Sequence, residues 1–316
     1  MLLIASLTVK SETITEQEAL LMAQQVLKGK TLSAAKSQKS QTRAEDPSDS
    51  QPDFFFFNAE DEGGFAIVSA SDRTEPILGY SDQGHIDLDH LPDNLRYWLD
   101  GYRKQMSLIG EDDTTVERAS TRAVRPAIEP LLKTTWGQDM PYKGRCPLYK
   151  DINCITGCVA TAMAQVMYHY QYPAGSPSLP AYQTASLGLS TEALPSTTFR
   201  WNKIRAAYSK DALGETADAV AELMRYCGQA VAMDYTPNGS GSNDERLVYG
   251  MVNYFGYNKN TRILSRSNYS QSQWEEIIYQ ELASGRPVVY SGTDPSHNGH
   301  EFVCDRFDGN GLFHFN

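Results

Sequence analysis

Cys158 is preceded by Gly157 and followed by apolar residues at Val159, Ala162, Met163, Val166 and Met167. That spacing predicts a helix with one apolar stripe that begins at the cysteine. Unpaired N–H groups and the positive end of the helix dipole favour a thiolate there, and the thiolate is the nucleophilic form. Cysteine is also among the most buried residue types. Placement at a helix start therefore identifies a candidate nucleophile and does not separate it from a packed thiol.

A cysteine nucleophile needs a base within hydrogen-bond reach, usually histidine. The chain has six histidines. His85 and His90 lie far upstream. His169 is on the Cys158 helix, roughly 16 Å along the axis, and cannot reach. His314 sits inside the last predicted strand, a structural place. His297 and His300 are left. His300 follows Asn298-Gly299 at the start of a strand, where glycine allows a substrate backbone to come close. His297 is in a loop, so preorganisation favours His300. Cys146, Cys154, Cys158 and His169 together raise the question of zinc. No C-x-x-C or H-x-x-x-H pair occurs and the 146–154 spacing is not a usual ligand spacing, so neither a metal nor a cofactor is expected.

The elements that must position these groups fall into two sets. Thr15 and Glu18 form a capping-box pattern that opens an amphipathic helix carrying Ala19, Leu20, Met22, Ala23, Val26 and Leu27, with Gly29 as its stop. Residues 30–52 read as an exposed loop. The runs 54–57 and 65–70 read as strands joined by a hairpin loop at 58–64, with a third strand near 76–80 and a helix opened by Asp93. Residues 110–126 lose all periodicity and carry three arginines, the pattern of an exposed linker open to proteolysis. In the second set, the loop Trp136–Tyr142 leads to the Cys158 helix and residues 173–198 read as irregular. Helices are predicted near 217–228, 245–255 and 271–284, the last with Ser270 and Gln273 as a capping box. The Gly/Ser loop 237–243 is placed to border a groove. Strands at 287–291 and 300–307 and a tight turn at 308–311 lead into a returning strand. Helices first and an antiparallel sheet after make this an α+β domain.

The 316 residues fit two domains, with 41% hydrophobic and 21% charged residues and a net charge of −11. No basic run suits nucleic acid and no apolar run is long enough to cross a bilayer. Five cysteines leave at least one thiol unpaired within the chain. Met1–Val9 resembles the hydrophobic part of a secretory signal without its basic start, and a first strand or a tail fits those residues equally.

A helix-borne cysteine with a sheet-borne histidine is the papain-like arrangement. The segment Thr156-Gly157-Cys158-Val159-Ala160-Thr161-Ala162-Met163-Ala164-Gln165-Val166-Met167-Tyr168-His169 closely resembles the nucleophile segment of streptopain-type cysteine peptidases. So do Trp136-Gly137-Gln138 with Pro141-Tyr142, the Met233-Asp234-Tyr235 segment with its Gly/Ser loop, and Gly299-His300-Glu301-Phe302-Val303. Phe313-His314-Phe315-Asn316 resembles the family's segment ending in Asn-Trp-Gly-Trp. The resemblance implies a secreted bacterial endopeptidase made as a zymogen, at the cell envelope or outside the cell, that hydrolyses proteins and peptides through a thioester. It implies Cys158 as nucleophile, His300 as general base and acid, Gln138 as oxyanion donor and Asn316 as the residue orienting His300. It also suggests a hydrophobic preference two residues before the scissile bond.

The domains expected are a signal-peptide remnant at 1–11, an α+β propeptide at 12–110 acting as intramolecular inhibitor, an activation linker at 111–126 cut within Arg118–Arg125, and a papain-like domain at 127–316. The family's Trp-Gly-Trp is not reached, so the sequence reads as carboxy-terminally truncated. If Asp308 faces Gly311, Asn316 falls opposite Val303 and the position opposite His300 lies past Asn316. Two other classes share these features: a catalytically silent binding or inhibitor protein of the same fold, and a different acyl transfer such as transglutamination. The oligomeric state is left open.

Overall fold

The computed structural model describes residues 14–35, 52–71, 74–108, 125–293 and 299–316. Residues 1–13, where a signal remnant is expected, residues 36–51 of the expected 30–52 loop, residues 109–124, which take in most of the expected linker, and His297 lie outside the described residues. The chain divides into two compact units, Met1–Ala123 and Val124–Asn316.

In the first unit α1 (Glu16–Val26) opens with the predicted capping box, Thr15 and Glu18 each accepting from the other's backbone N–H. Four strands, β1 (Leu32–Ala34), β2 (Phe54–Ala59), β3 (Phe65–Ser69) and β4 (Ile77–Ser81), form an antiparallel sheet in sequence order. The phenylalanine run is explained by strand alternation. Phe55 and Phe57 pack with Ala19, Ala23 and Leu27 of α1 and its cap. Phe54 and Phe56 pack on the other face with Leu99 of α2 (Asp93–Leu108). A strand covered on both sides needs apolar residues at every position.

The second unit begins with the short hairpin β5 (Leu148–Tyr149) and β6 (Ile152–Asn153) and then α3 (Cys158–Tyr170). Every residue from Val159 to Met167 is buried, so the helix is enclosed all round and not only along the predicted stripe. Ala160 and Ala164 let neighbours close on its other sides. Residues 173–198, expected to be irregular, form nested antiparallel pairings. The strands β7 (Gly175–Ser176) and β8 (Thr197–Thr198) pair, and the bridges Leu179–Leu194 and Gln183–Ser190 continue inward. The pairs are too sparse to leave an alternating pattern in the sequence. The remaining helices are α4 (Glu215–Ala230), α5 (Asp244–Tyr249) and α6 (Gln271–Ala283), the last with its Ser270–Gln273 capping box. The predicted helix at 245–255 changes at Gly250 into a π-helical turn that runs to Tyr254.

The final sheet has the order β11–β10–β9, from β9 (Val288–Thr293), β10 (Gly299–Phe307) and β11 (Phe313–Phe315). Val303 of β10 joins the core built around α3, while Cys304 packs with Ile278 and Leu282 of α6. The sheet is thus covered by α3 on one face and α6 on the other. The turn after β10 is wider than expected, with Asp308 N–H donating to the Leu312 carbonyl (3.0 Å). A bulge at Asp305 shifts the register back. The two offsets cancel, and Asn316 pairs with Val303 through both backbone bonds, as the simpler turn also required (2.8 and 3.1 Å).

Candidate active site

The turn before α3 is tied on two sides. Ile155 N–H donates to the Thr236 carbonyl (3.1 Å), and the N–H and hydroxyl of Thr156 both donate to the Gln138 carbonyl (3.3 and 2.8 Å). Gly157 then turns the chain with φ 86° and ψ 140°. A Cβ at Gly157 would lie 2.5 Å from Met233 Sδ and 3.0 Å from the Ser240 carbonyl. The Met233–Ser240 segment, which includes much of the predicted Gly/Ser loop, therefore packs directly against the residue preceding the cysteine.

Cys158 is half-buried at the first position of α3. Its thiol is pushed up from the ordinary value, first by burial. The backbone N–H of Glu301 on β10 opposes this, as do the N–H groups of Val159 and Cys158 itself. The Glu301 carboxyl pushes the same way as burial. The expectation of a thiolate at the helix start is corrected here: desolvation outweighs the helix-end N–H groups, and the neutral thiol is the form held.

His300 is the strand neighbour of Glu301, so the two side chains leave opposite faces. The His300 ring stacks on Phe302 at 6.1 Å. Phe302 in turn stacks on Tyr290, which meets Trp274 of α6. Burial holds the His300 imidazole below its usual range, in the neutral form that can accept a proton. The strand side chain directed to Cys158 is that of Glu301, while the histidine's contacts lie on the α6 face. Gln138 is half-buried, and its carbonyl is anchored to Thr156, two residues from the nucleophile. Asn316 is engaged elsewhere than at the histidine. Its amide nitrogen donates to the Thr134 carbonyl and its oxygen accepts from Gln165 Nε2 of α3, both at 2.6 Å. Two of the excluded histidines have backbone or carboxylate partners here: His169 lies against the carbonyls of Leu131 (2.9 Å) and Gly285 (3.2 Å), and His314 against Asp305 (2.7 Å).

Sequence reasoning passed over Glu301 and Asp244. Glu301 is 7% exposed, and its carboxyl faces that of Asp244 at the start of α5. Burial first, then the hydrogen bond and charge of Asp244, push it up to about 9. Counting strand alternation from His300 puts residue 301 on the nucleophile's side, a signal that was readable. Asp244 comes there only through the placement of α5.

Comparison with known proteins places these residues in a family context. The model of the peptidase C10 family matches residues 136–316, and the model of the Spi protease inhibitor matches residues 11–106. The thiol protease/hemagglutinin PrtT of Porphyromonas gingivalis is 34% identical over 83% of this chain and 32% of its own length. Streptopain of Streptococcus pyogenes is 31% identical over 80% of this chain and 68% of its own. The chain thus spans about a third of one curated relative and two thirds of the other. A prointerpain A fragment of Prevotella intermedia superposes with a TM-score of 0.71, at 30% identity, over 90% of this chain and 88% of that one. Active wild-type interpain A gives a TM-score of 0.55 at 36% identity, over 60% of this chain and 81% of that one.

Proposed function

Because the chain belongs to the peptidase C10 family and carries a Spi-type inhibitor domain ahead of its papain-like unit, we propose that it is a secreted cysteine endopeptidase made as a latent zymogen. The observation that carries this reading is the setting of Cys158. Cys158 opens a buried helix, two residues after Thr156, which is bonded to the Gln138 carbonyl, and its thiol feels the backbone N–H of Glu301, the strand neighbour of His300. The neutral thiol and the outward histidine belong to the latent form. His300 is the strand neighbour of Glu301, the β10 residue whose backbone N–H bears on the Cys158 thiol, and bringing the His300 side chain to the Cys158 side of the strand end assembles the dyad.

His300 then takes the Cys158 proton and the thiolate attacks the scissile carbonyl. The oxyanion is received by the Cys158 N–H and the Gln138 carboxamide. The C–N bond breaks as His300 returns the proton to the leaving amine, leaving a thioester. Water, deprotonated by His300, adds to the thioester carbonyl; the acid is released and the thiol recovers its proton. Activation follows cutting of the 111–126 linker and loss of the propeptide. Hydrolysis of an unfolded protein substrate by the processed chain tests the reading. Cys158→Ala is expected to abolish hydrolysis, and Gln138→Ala to lower kcat by about 100-fold with little change in KM. Binding of the substrate without turnover would instead favour the silent binding protein.

A further inference from the structure

Glu301 is an expensive residue to keep where it stands. It is buried, and among the described residues its Oε2 has no hydrogen-bond partner. An unsatisfied buried polar atom is destabilising, because it loses its water without gaining a partner. Its neighbour Asp244 is a second carboxylate and not a cation, and the Ser291 hydroxyl, which stands across the β9–β10 pair from Glu301, donates to Asp244 Oδ2 (2.8 Å). Among the described residues, the groups that face this corner are Cys158 from α3, Asp244 from α5 and Ser291 from β9. None of them brings a positive charge. The corner is not sealed: Ser291 is exposed and Cys158 and Asp244 are half-buried.

We propose that Glu301, backed by Asp244, selects a basic side chain, lysine or arginine, close to the scissile bond of the substrate. The inference rests on the peptidase reading, since only a chain bound across Cys158 brings a side chain there. A bound guanidinium or ammonium donates to the orphaned oxygen, and its positive charge lets Glu301 release to solvent the proton that burial and Asp244 make it hold in the free chain. The hydrophobic preference suggested by resemblance is replaced at this position by a charged one. The chain's own linker is consistent with it, as Arg118, Arg122 and Arg125 lie within the stretch where processing is proposed.

The test uses the full chain after processing and internally quenched peptides that differ only by Arg, Lys or Leu at each of the four positions around the cleaved bond. Alkylation of Cys158 by iodoacetamide, read by mass spectrometry, measures thiol reactivity separately. At one position Arg or Lys is expected to raise kcat/KM at least tenfold over Leu, and Glu301→Gln to reduce that ratio to within about twofold. Asp244→Asn, which removes the like charge and keeps Glu301, is expected to retain the basic preference and serves if Glu301→Gln does not fold. Cleavage with Leu equal or preferred at every position overturns the inference and leaves the peptidase intact. A basic preference that survives in Glu301→Gln, or is lost in Asp244→Asn, also overturns it. No cleavage of any peptide by a chain whose Cys158 alkylates overturns the peptidase reading and the inference with it.

Discussion

Gly157 shows how much one residue can control. Its positive φ lies where only glycine is unstrained, and the space its Cβ would need is filled by Met233 and Ser240. Gly157→Ala is expected to cost on the order of 1–3 kcal/mol in backbone strain, with the clash added. It should lower the thermal midpoint and also change the rate of Cys158 alkylation, because the same peptide sets the first turn of α3. An unchanged alkylation rate in a destabilised variant would separate the two. Glu301 has a different signature. In the folded chain it holds its proton to about 9, against an ordinary value of 4.5. Between those values the folded state binds more protons than the unfolded one, so this carboxyl makes stability fall as pH rises through that window. Glu301→Gln is expected to unfold at higher urea than the parent at pH 8 and to converge with it near pH 4. Parallel pH profiles for the two chains would reject this account.

Among the elements, α3 is the one on which the site is built. Its only long polar side chain between Val159 and Met167 is Gln165, and that carboxamide ties the helix to two other segments. Nε2 donates to Thr134 Oγ1 (3.1 Å) and to Asn316 Oδ1 (2.6 Å). Gln165→Leu keeps the shape but leaves the Asn316 oxygen short of a donor, at a cost of about 1–3 kcal/mol. Urea denaturation followed by tryptophan fluorescence measures it, and a cost near zero would mean that water replaces the amide. A second tie holds the loop between Tyr142 and Cys146 to α4. Arg145 and Arg200 share Asp218 and Glu222, and Arg145 foremost pulls the Asp218 carboxyl below its ordinary range. These pairs are largely exposed and contribute little individually. Their use is to fix the loop that follows Gln138.

At the scale of the molecule, the chain divides into two units at residue 124, a position inside the aperiodic stretch 110–126 of the sequence. Arg125 already belongs to the second unit, where it pairs with Glu276 (2.6 Å) and lies over the Tyr279 ring. A protease needs its target arginine free, so the cut is expected after Arg118 or Arg122 and not after Arg125. Amino-terminal sequencing of the processed form should then find Ala119 or Ala123 as its first residue, and a start at Pro126 would contradict this. Among the described residues no helix is long and apolar enough to cross a membrane.

Both capping boxes, the strands of the first unit and the start of α3 were legible in the sequence because each is set by local spacing and backbone chemistry. The family was legible too, since a run of residues around Cys158 must be kept together to build a turn, a helix start and a packed helix at once. The order of strands in the last sheet followed from a hairpin. Other features depended on contacts between residues far apart in the chain. That Cys158 is held as a neutral thiol depends on how deeply neighbouring elements bury it, which no local pattern encodes. Asn316 was assigned to His300 by motif, but its amide is used by Thr134 and Gln165, which come from two segments more than a hundred residues upstream. The sequence by itself determined which residues are candidates for chemistry and which helix and strand carry them. Only the tertiary structure decided which face of the strand meets the nucleophile. In that decision Glu301, and not His300, lies beside Cys158, because adjacent residues of a strand point to opposite sides.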